Sequence, residues 1–359
     1  MKVGYLRHPK NPNYKIRILA MIAKYYDMDF FYFSPDRIDR EKKTIRALYF
    51  EEGKFVERET SYPEIIDNVY DFNYGSNKYK EDYYSLSQTG LYTYYPLGGK
   101  LAIHNILKNS NYSKYIIETY KYEDIDIFNL LDSHKKVIIK PNRSFQGHDI
   151  YMLCKESYTL VLQKENIVRR LNENEYKLEY DEVFKQGFII QPYIESLTNQ
   201  GNPFDVRINV RRGKNGKWSL TKIFARIGDA DGLVSNIHGG GKLGFIGDYD
   251  SNFLQAEFGD EWETIYDELL HISKELPDVI QKGFKNLRDD IGFDVGINRA
   301  NNNELKFFEV NSYTVPIFWE LQSIEARFQY YMYLHENFER LHIIQNQSRA
   351  GRASGEVRT

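Results

Sequence analysis

Phe307-Phe308-Glu309-Val310-Asn311-Ser312 is the stretch that decides the fold, an apolar run that ends in a carboxylate and an amide. Side chains of a β-strand alternate between its two faces, so Glu309 and Asn311 point to the same face. Both offer oxygen to a hard cation such as Mg²⁺, and an apolar strand rarely ends in two inward polar groups that nothing compensates. The same residues also fit an ordinary strand end that enters a turn. Three constellations upstream favour the metal site.

The composition favours a cytoplasmic protein with more than one domain. A chain of 359 residues exceeds a single typical core, so two or three subdomains are expected. The formal net charge of −3 gives no basic field, which argues against a nucleic-acid partner. Its one cysteine, Cys154, cannot form an internal disulfide and fits a reducing compartment. The start Met1–Lys10 is too short and polar for a signal peptide, and no apolar run approaches membrane-spanning length.

The first part of the chain predicts a small α/β domain over residues 1–95. Hydrophobic periodicity predicts the strand Val3–Leu6, the helix Ile16–Tyr26, the strand Phe30–Phe33 and a hairpin of Thr44–Phe50 with Lys54–Arg58. The segment Asn73–Gln88 is rich in Asn, Ser, Lys and Tyr and has no clear periodicity. We therefore expect a connection between domains there.

Residues 96–345 predict a second, larger domain that begins near Leu97-Gly98-Gly99-Lys100. Three of its strand-like runs are separated by polar or glycine-rich turns, which favours one antiparallel sheet. The predicted elements are the helix Leu101–Leu107, strands Val137–Lys140 and Tyr151–Cys154, a helix-like segment Val161–Leu171, the three strands Phe188–Ile194, Phe204–Arg211 and Trp218–Ile227, a long helix Trp262–Leu287 with a candidate break at Pro277, the strand pair Phe293–Ile297 and Glu304–Val310, and the helix Phe318–Leu341. The Arg-, Gly- and Ser-rich residues 346–359 are expected to be a disordered tail or an added sequence outside the fold.

A lysine at the end of an apolar strand is the first upstream constellation. Val137-Ile138-Ile139-Lys140 is followed by Pro141-Asn142-Arg143-Ser144-Phe145-Gln146-Gly147, a loop of small and polar residues. The lysine can reach a phosphate, and a glycine-containing loop lets backbone N–H groups approach phosphate oxygens. This loop lacks the pattern of a Walker sequence. An ordinary hairpin whose lysine extends to solvent fits the same residues.

A proline-interrupted strand is the second constellation, in Phe188-Ile189-Ile190-Gln191-Pro192-Tyr193-Ile194-Glu195. Proline removes one backbone N–H, so part of the strand edge stays unpaired. The edge of an adenine ring could use the groups that remain. An edge strand that leaves its sheet has the same pattern.

The third constellation joins two strands and a glycine run. Phe204-Asp205-Val206-Arg207-Ile208-Asn209 places its polar residues on one strand face, which a solvent-exposed face also explains. Phe224-Ala225-Arg226-Ile227-Gly228 leads towards Ser235-Asn236-Ile237-His238-Gly239-Gly240-Gly241-Lys242. Three glycines beside Asn, His and Lys suit a loop that closes over an anion, although a flexible surface loop is the alternative.

Taken together and in order, these blocks resemble the ATP-grasp superfamily from about Gly98 to Glu320. Arg226 with the run that starts at Ser235 resembles the RimK-type and glutathione-synthetase-like branch, and Glu309-Val310-Asn311 resembles its Mg²⁺ motif. Within that superfamily the chain is most similar to the YheC/YheD-type endospore coat-associated proteins. The residues that carry this likeness are Phe204-Asp205-Val206-Arg207, Ala225-Arg226-Ile227, Gly292-Phe293-Asp294-Val295-Gly296-Ile297 and Lys42-Lys43-Thr44-Ile45-Arg46-Ala47.

The resemblance implies an α+β ATP-grasp fold, in which two α+β lobes clamp ATP and a small α/β pre-ATP-grasp domain precedes them. It also implies roles for individual residues, ATP and Mg²⁺ being the expected cofactors. Lys100 and Lys140 would reach the phosphates, Ser144, Phe145, Gln146 and Gly147 would form a small loop over them, and Gln191, Pro192, Tyr193 and Ile194 would hold the adenine. Asp205 and Arg207 join the nucleotide-binding set, while Arg226 and Asn236 would lie near the γ-phosphate and act with Lys140 in catalysis.

The metal site implied by the resemblance departs from the family at one position. Glu309 and Asn311 would hold Mg²⁺. Where the family's Gly-Ile-Asp supplies a further carboxylate, this chain has Gly296-Ile297-Asn298, and an amide is a weaker Mg²⁺ ligand. We take Asn298 as the candidate third ligand and Asp294, four residues earlier, as a side chain that could compensate.

The implied reaction activates a carboxylate with the γ-phosphate of ATP, after which an amine or a thiol attacks the acylphosphate. Small-molecule or peptide carboxylates and amines are therefore the expected partners, and a homodimer is a further expectation, because ATP-grasp enzymes are often dimers. Two other functions stay open. One is a kinase that stops at the phosphorylated product, and the other is a coat-associated or scaffold protein with little turnover, which Asn298 favours.

Overall fold

Three β-sheets follow one another along the chain in this computed structural model, which describes residues 1–69, 77–143, 149–230, 232–233, 235, 241–247, 252–312 and 321–353. For 77–78 and 349–353 the description covers the backbone alone. Two of the three sheets are antiparallel throughout and face one another across the candidate site. The first sheet is mixed and is built largely by the start of the chain.

The first sheet has a parallel centre and an antiparallel extension. Strand β1 pairs in parallel with β2 and β6, while β4 pairs antiparallel with β2, β3 and β5. Helix α1 starts where the side chain of Asn13 accepts a bond from Lys15 N. The elements are β1 (Lys2–Leu6), α1 (Tyr14–Tyr25), β2 (Asp29–Phe33), β3 (Ile38–Asp39), β4 (Thr44–Glu51), β5 (Lys54–Ser61), β6 (Ile65–Asp67), α2 (Asn77–Ser87) and β7 (Leu91–Tyr92).

The second sheet belongs to an antiparallel lobe in the order β12-β11-β10-β9-β13-β8. Its short helices bury Leu131, Tyr176 and Phe184 against the sheet. The elements, with the helix α3 that precedes them, are α3 (Lys100–Lys108), β8 (Tyr120–Lys121), α4 (Ile127–His134), β9 (Lys136–Pro141), β10 (Tyr151–Glu156), β11 (Thr159–Lys164), β12 (Ile167–Leu171), α5 (Glu173–Tyr176), α6 (Glu182–Phe184) and β13 (Phe188–Pro192).

The third sheet has one apolar and one polar face. Alternation along β14 sends Val206, Ile208 and Val210 into the apolar core, where they meet Leu269 and Ile272 of the long helix α8. The opposite face of the sheet therefore carries the polar side chains of the candidate site. The elements are β14 (Phe204–Arg212), β15 (Trp218–Ile227), β16 (Lys242–Phe245), α7 (Phe253–Phe258), α8 (Trp262–Lys282), β17 (Asp290–Asn298) and β18 (Glu304–Asn311), in the sheet order β16-β15-β14-β17-β18.

The last two helices, α9 (Leu321–Glu336) and α10 (Phe338–Ala353), return to the first sheet. Phe328 and Tyr331 of α9 share a core with Val3 and with Leu19 of α1. In α10 the side chain of Gln345 accepts a bond from Tyr92 N at 3.0 Å and donates one to the carbonyl of Gly90 at 2.8 Å. Helices near the end of the described chain thus share one hydrophobic core with elements near its beginning.

Most of the predicted elements are confirmed, but one helix-like segment was wrong and one strand was assigned to the wrong sheet. Val161–Leu171 was predicted as helix-like but forms the hairpin β11–β12, because a short run of buried apolar residues has no period that separates strand from helix. Phe188–Pro192 was grouped with β14 and β15, but it pairs with β9 in the second sheet. Only β14 and β15 form the predicted antiparallel pair.

Two predicted helices differ in extent, and two further helices lie where a connection and a tail were predicted. The connection predicted at Asn73–Gln88 contains α2, which buries Tyr83 and Leu86. Helix α8 ends at Lys282 and runs through Pro277, since its fully buried apolar face offsets the lost hydrogen bond. The single helix predicted over residues 318–341 is the pair α9 and α10, which meet at Asn337. Residues 346–353, predicted to lie in a tail, belong to α10. The domain boundary at residue 95 stays a prediction.

No helix among the described residues has both the length and the apolar sequence needed to cross a bilayer.

A buried ion cluster joins the first sheet to α9. Asp67, at the end of β6, is 3% exposed and accepts a bond from Arg7 Nη2 at 2.7 Å. It also accepts a bond from the hydroxyl of Tyr331 and lies 3.4 Å from Arg327 Nη1. Burial opposes ionisation, but Arg327, Arg7 and the Tyr331 hydroxyl together hold the pKa of Asp67 at about 2.

We predict that Asp67→Asn lowers the free energy of unfolding at neutral pH by about 3 kcal/mol, because two guanidinium groups lose a buried counter-charge. The folded pKa lies below the ordinary 3.8, so the carboxylate contributes fully above that value and its contribution disappears as the pH falls towards 2. Urea unfolding of wild type and variant should therefore show a gap that shrinks at acid pH. Asp267→Asn, on the exposed side of α8, is the control without a gap. A gap that is equal at both pH values would contradict the prediction.

Candidate active site

The candidate site is a cavity of about 200 Å³ between the second and third sheets. The second sheet contributes Lys140 and the residues that follow β13, and the third sheet contributes its polar face. Lys100, the first residue of α3, closes one side. The cavity therefore brings together residues that lie more than 200 positions apart in the sequence.

One part of the cavity wall is apolar and suits a flat ring. Ile138 and Ile150 come from the second lobe, and Phe308 of β18 comes from the third sheet. Phe308 lies over Gly296 of β17, where a Cβ atom would stand 2.2 Å from the ring atom Cζ of Phe308. The absence of a side chain at Gly296 therefore leaves the space that the Phe308 ring occupies.

The end of β13 and the residues that follow it are fixed by hydrogen bonds. Gln191 donates from Nε2 to the hydroxyl of Thr119 at 2.7 Å, and Tyr193 N donates to the carbonyl of Lys136 at 3.1 Å. Within the described chain, no backbone carbonyl accepts from the N–H of Ile194. This segment lines the cavity, as the resemblance implies. The side-chain amide of Gln191 is used for the bond to Thr119.

Two lysines converge on β18. Lys140, 7% exposed, donates from Nζ to the carbonyl of Phe308 at 2.9 Å, and Lys100 Nζ lies 3.1 Å from Glu309 Oε1. Burial and the charge of Lys100 lower the pKa of Lys140 to about 8, against the opposing effect of Glu309 and Asp294. An incoming anion would relieve this penalty.

Two arginines are clamped by two carboxylates on the polar face of the third sheet. Neighbouring strands place Arg226 beside Asp205 and Arg207 beside Asp294. Arg226 donates from Nε and Nη2 to Asp205 at 2.7 and 2.6 Å, and its Nη2 lies 2.9 Å from Asp294 Oδ2. Arg207 donates from Nε and Nη2 to Asp294. Ser235 donates to Asp205 at 2.6 Å, which completes the network.

In both guanidinium groups the Nη1 amino group takes no part in this network. Arg207 and Arg226 use Nε and Nη2 in the network, and for Nη1 of each the described part of the chain supplies no hydrogen-bond acceptor. Both residues line the cavity. Burial opposes the charge of Asp294, but Arg207 and Arg226 hold its pKa below the ordinary value. The site thus presents two oriented cations to whatever enters.

The side chains at the cavity that could offer oxygen to a metal are Asp294, Glu309 and Asn311. Asp294 and Glu309 are partners in the register of β17 and β18, and Asn311 Nδ2 lies 3.2 Å from Asp294 Oδ2. Two carboxylates and an amide form a donor set of the kind that Mg²⁺ takes. In this structure Lys100 and the two arginines neutralise these carboxylates.

The prediction that Asn298 joins this group was wrong. Asn298 is paired with Glu304 at the far end of β17 and does not line the cavity. Four residues of strand carry it about 13 Å beyond Asp294, since a strand rises about 3.3 Å per residue. Gly292-Phe293-Asp294 has the spacing of the family's Gly-Ile-Asp, so the apparent departure at Asn298 disappears.

The other predicted site residues form two groups: those that the structure brings to the cavity, and those that lie outside the described residues. Lys100, Lys140, Gln191, Pro192, Tyr193, Ile194, Asp205, Arg207, Arg226, Glu309 and Asn311 all line the cavity. Ser144, Phe145, Gln146, Gly147 and Asn236 lie outside the described residues. Two residues were not predicted as part of the site. Thr119 belongs to no recognisable motif, whereas Ser235 could have been found from its position at the start of the glycine-rich run.

A family model described as "YheC/D like ATP-grasp" matches residues 91–334 of this chain. Two curated relatives from Bacillus subtilis (strain 168) are similar over most of the chain. Endospore coat-associated protein YheD is 24% identical over 333 residues, which cover 85% of this chain and 70% of the relative. Endospore coat-associated protein YheC is 23% identical over 318 residues, 82% of this chain and 83% of the relative.

The fold is also similar to that of a solved structure, N5-carboxyaminoimidazole synthetase from Staphylococcus aureus complexed with ADP. The TM-score is 0.50 at 12% sequence identity, over 91% of this chain and 76% of that chain. At this identity the likeness concerns the fold alone.

We predict that Gly296→Ala weakens binding of an adenine nucleotide at least about tenfold, because the new methyl group displaces the Phe308 ring from the cavity wall. Calorimetric titration with ADP measures the effect. The double variant Gly296→Ala with Phe308→Leu should recover part of the affinity, since the shorter side chain makes room for the methyl group. Unchanged ADP affinity in Gly296→Ala would contradict the assignment of Phe308 to the nucleotide site.

Proposed function

This chain belongs to the YheC/D-like ATP-grasp family, and on that premise we propose that it is an ATP- and Mg²⁺-dependent ligase that joins a carboxylate to an amine or a thiol. The family and the fold likeness confirm the predicted α+β ATP-grasp fold. The observation that carries the proposal is the pair of clamped arginines, Arg207 and Arg226, beside two lysines in one cavity.

The apolar wall supports an adenine ring between the second and third sheets. Ile138 and Ile150 would cover one side of the ring and Phe308 the other. The N–H of Ile194 would donate to a ring nitrogen, since no backbone carbonyl of the described chain uses it. Lys140 and Lys100 would then receive the phosphates, whose charge compensates the burial of Lys140.

The arginines support phosphoryl transfer to a carboxylate. A carboxylate and a γ-phosphate repel each other, by about 4 kcal/mol for each pair of unit charges at 4 Å and an effective dielectric of about 20. The Nη1 groups of Arg207 and Arg226 would offset this repulsion, and Asp205 and Asp294 already hold both guanidinium groups in place. Such preorganised charge lowers a barrier without a cost for reorganisation during the reaction.

The proposed reaction has two displacement steps, the first releasing ADP and the second releasing phosphate. A carboxylate oxygen of the substrate forms a bond to the γ-phosphorus, and the bond from that phosphorus to the β,γ-bridging oxygen breaks to release ADP. The amine nitrogen or thiol sulfur then attacks the acyl carbon, loses its proton and displaces phosphate. Asp294, Glu309 and Asn311 would hold Mg²⁺, which supplies charge neutralisation at the phosphates when it is bound.

A second candidate is a nucleotide-binding, coat-associated protein with little turnover. The names of the curated relatives favour it, since both are endospore coat-associated proteins. The argument from Asn298 does not apply to the site proposed here, in which Asp294 would supply the carboxylate beside Glu309.

We predict that MgATP with a suitable carboxylate and amine releases ADP, and that Arg226→Lys lowers this release at least about 100-fold, because lysine cannot form the two-armed bond to Asp205. A coupled ADP assay on a panel of carboxylate and amine pairs, with mass spectrometry of the products, measures both. Nucleotide affinity should change little in the variant. Arg58→Lys, on the exposed strand β5, is the matched control.

The outcomes separate the alternatives. ADP release with an amide or thioester product supports the ligase. ADP release with a phosphorylated product alone would favour a kinase. Nucleotide binding without ADP release for any pair would favour the coat-associated function, and absence of nucleotide binding would refute both.

We predict that nucleotide binding takes up a proton above pH 8, because Lys140 has a pKa of about 8 before binding and phosphate charge raises it. ADP affinity should therefore fall by up to about tenfold per pH unit above 8. Calorimetric titrations at alkaline pH in two buffers of different ionisation enthalpy should give different binding enthalpies. Lys140→Arg stays protonated and should remove the difference between the buffers. A wild-type enthalpy that is independent of the buffer would contradict the prediction.

A further inference from the structure

Helix α3 is capped by a residue of the second sheet. The residue before the helix is Gly99, which stands at the cap position without a side chain to accept a bond. Asn142, just after β9, supplies both acceptors instead. Its carbonyl accepts from Lys100 N at 3.1 Å, and its side-chain Oδ1 accepts from Leu101 N at 3.0 Å. Asn142 therefore satisfies two of the N–H groups that the first turn of a helix leaves unpaired.

The fit between Gly99 and Asn142 is close. A Cβ atom added at Gly99 would stand 2.8 Å from Asn142 Oδ1. The backbone angles of Gly99, φ −83° and ψ 171°, are open to other residue types, so the conformation does not require glycine there. The space that the Asn142 side chain occupies does require it. The glycine before α3 and the asparagine after β9 are thus matched to each other.

These bonds join the two bodies that enclose the cavity. Ile103 and Leu107 of α3 are buried in the core of the third sheet, so the helix belongs to that body. Asn142 belongs to the second sheet, because its N–H donates to the carbonyl of Gly187, just before β13, at 2.9 Å. The start of α3 is therefore fixed against the strand that carries Lys140.

We propose that Asn142 is a positioning residue, which holds Lys100 at the distance from Lys140 that the phosphates of a nucleotide require. Lys140 lies two positions before Asn142, and Lys100 is the residue whose N–H the Asn142 carbonyl binds. Lys100 Nζ lies 3.1 Å from Glu309 Oε1, and its place there depends on an intact first helical turn. Both lysines are assigned to the phosphates by the proposed function, on which this role of Asn142 rests.

Loss of the cap should release one lysine and leave the other in place. In a helix of nine residues, the first turn frays when its N–H groups lose their acceptors. Lys100 then leaves its position, whereas Lys140 stays in β9, which pairs with β10 and β13. A nucleotide would lose one of two cationic contacts, so we expect weaker binding and an intact fold.

Calorimetric titration with ADP measures this effect. Asn142→Ala should weaken ADP binding about tenfold. Asn142→Asp should recover most of the affinity, because a carboxylate keeps the acceptor and suits the N-terminus of a helix. Asn13→Ala is the matched control, since it removes the side-chain cap of α1, where Asn13 accepts from Lys15 N at 3.0 Å. That variant should bind ADP like wild type, and circular dichroism checks that all variants fold.

A double-mutant cycle shows whether Asn142 acts through Lys100. Lys100→Ala should itself weaken ADP binding, and Asn142→Ala should then have no further effect, because the side chain that the cap positions is absent. A purely structural role would weaken binding equally in both backgrounds. Gly99→Ala gives a second cycle. Alone it should weaken ADP binding, because its methyl group displaces Asn142 Oδ1, and combined with Asn142→Ala it should add nothing.

Each result decides either the role of Asn142 or the proposed function. ADP binding by wild type with unchanged affinity in Asn142→Ala would overturn the role of Asn142 alone. So would equal losses with and without Lys100, or a Lys100→Ala variant that binds ADP like wild type. Absence of ADP binding by wild type would refute the nucleotide function itself, and the positioning role with it.

Discussion

The clamp of Arg207 and Arg226 between Asp205 and Asp294 is the interaction on which the rest of the site depends. A buried guanidinium group is tolerated only when its charge is paired and its hydrogen bonds are made. The register of β14, β15 and β17 meets this condition, because it sets each arginine opposite a carboxylate on the next strand. A single-residue shift between the strands would turn these charges into the apolar core around Val206 and Ile208. The core therefore enforces the electrostatics of the site, and both arginines stay fixed for substrate.

Strand register also limits how much of the structure could be predicted from the sequence. Alternation in Phe204–Asn209 and in Phe307–Ser312 correctly places the polar residues on one face, since strand geometry is local. The fold class and most residues of the cavity wall also follow from the motifs in their order. Local pattern does not reveal which strand lies next to which. Phe188–Pro192 reads like its neighbours in the sequence, yet it belongs to the other lobe.

The choice between Asn298 and Asp294 shows the limit most clearly. Both residues lie on β17, four positions apart, and parity puts them on the same face. Only the pairing of β17 with β18, which has an irregularity between Asp294 and Val295, decides which one meets Glu309. Register across two strands is a tertiary property, set by the packing of both against α8. Gly292-Phe293-Asp294 and Gly296-Ile297-Asn298 have the same spacing, so the sequence alone does not show which of the two lies beside Glu309.

The turn between β14 and β15 connects this clamp to the rest of the molecule. Gly216, with φ of 67°, lies so close to α9 that a Cβ atom would stand 2.6 Å from the ring of Tyr333, and Gly213 stands against Ala326. The strands that carry the arginines are therefore anchored on the helix that also completes the core of the first sheet. Helix α9 thus packs against both the third sheet and the first sheet. Because close packing leaves little room for independent movement, the hairpin that carries Arg207 and Arg226 keeps its position relative to α9.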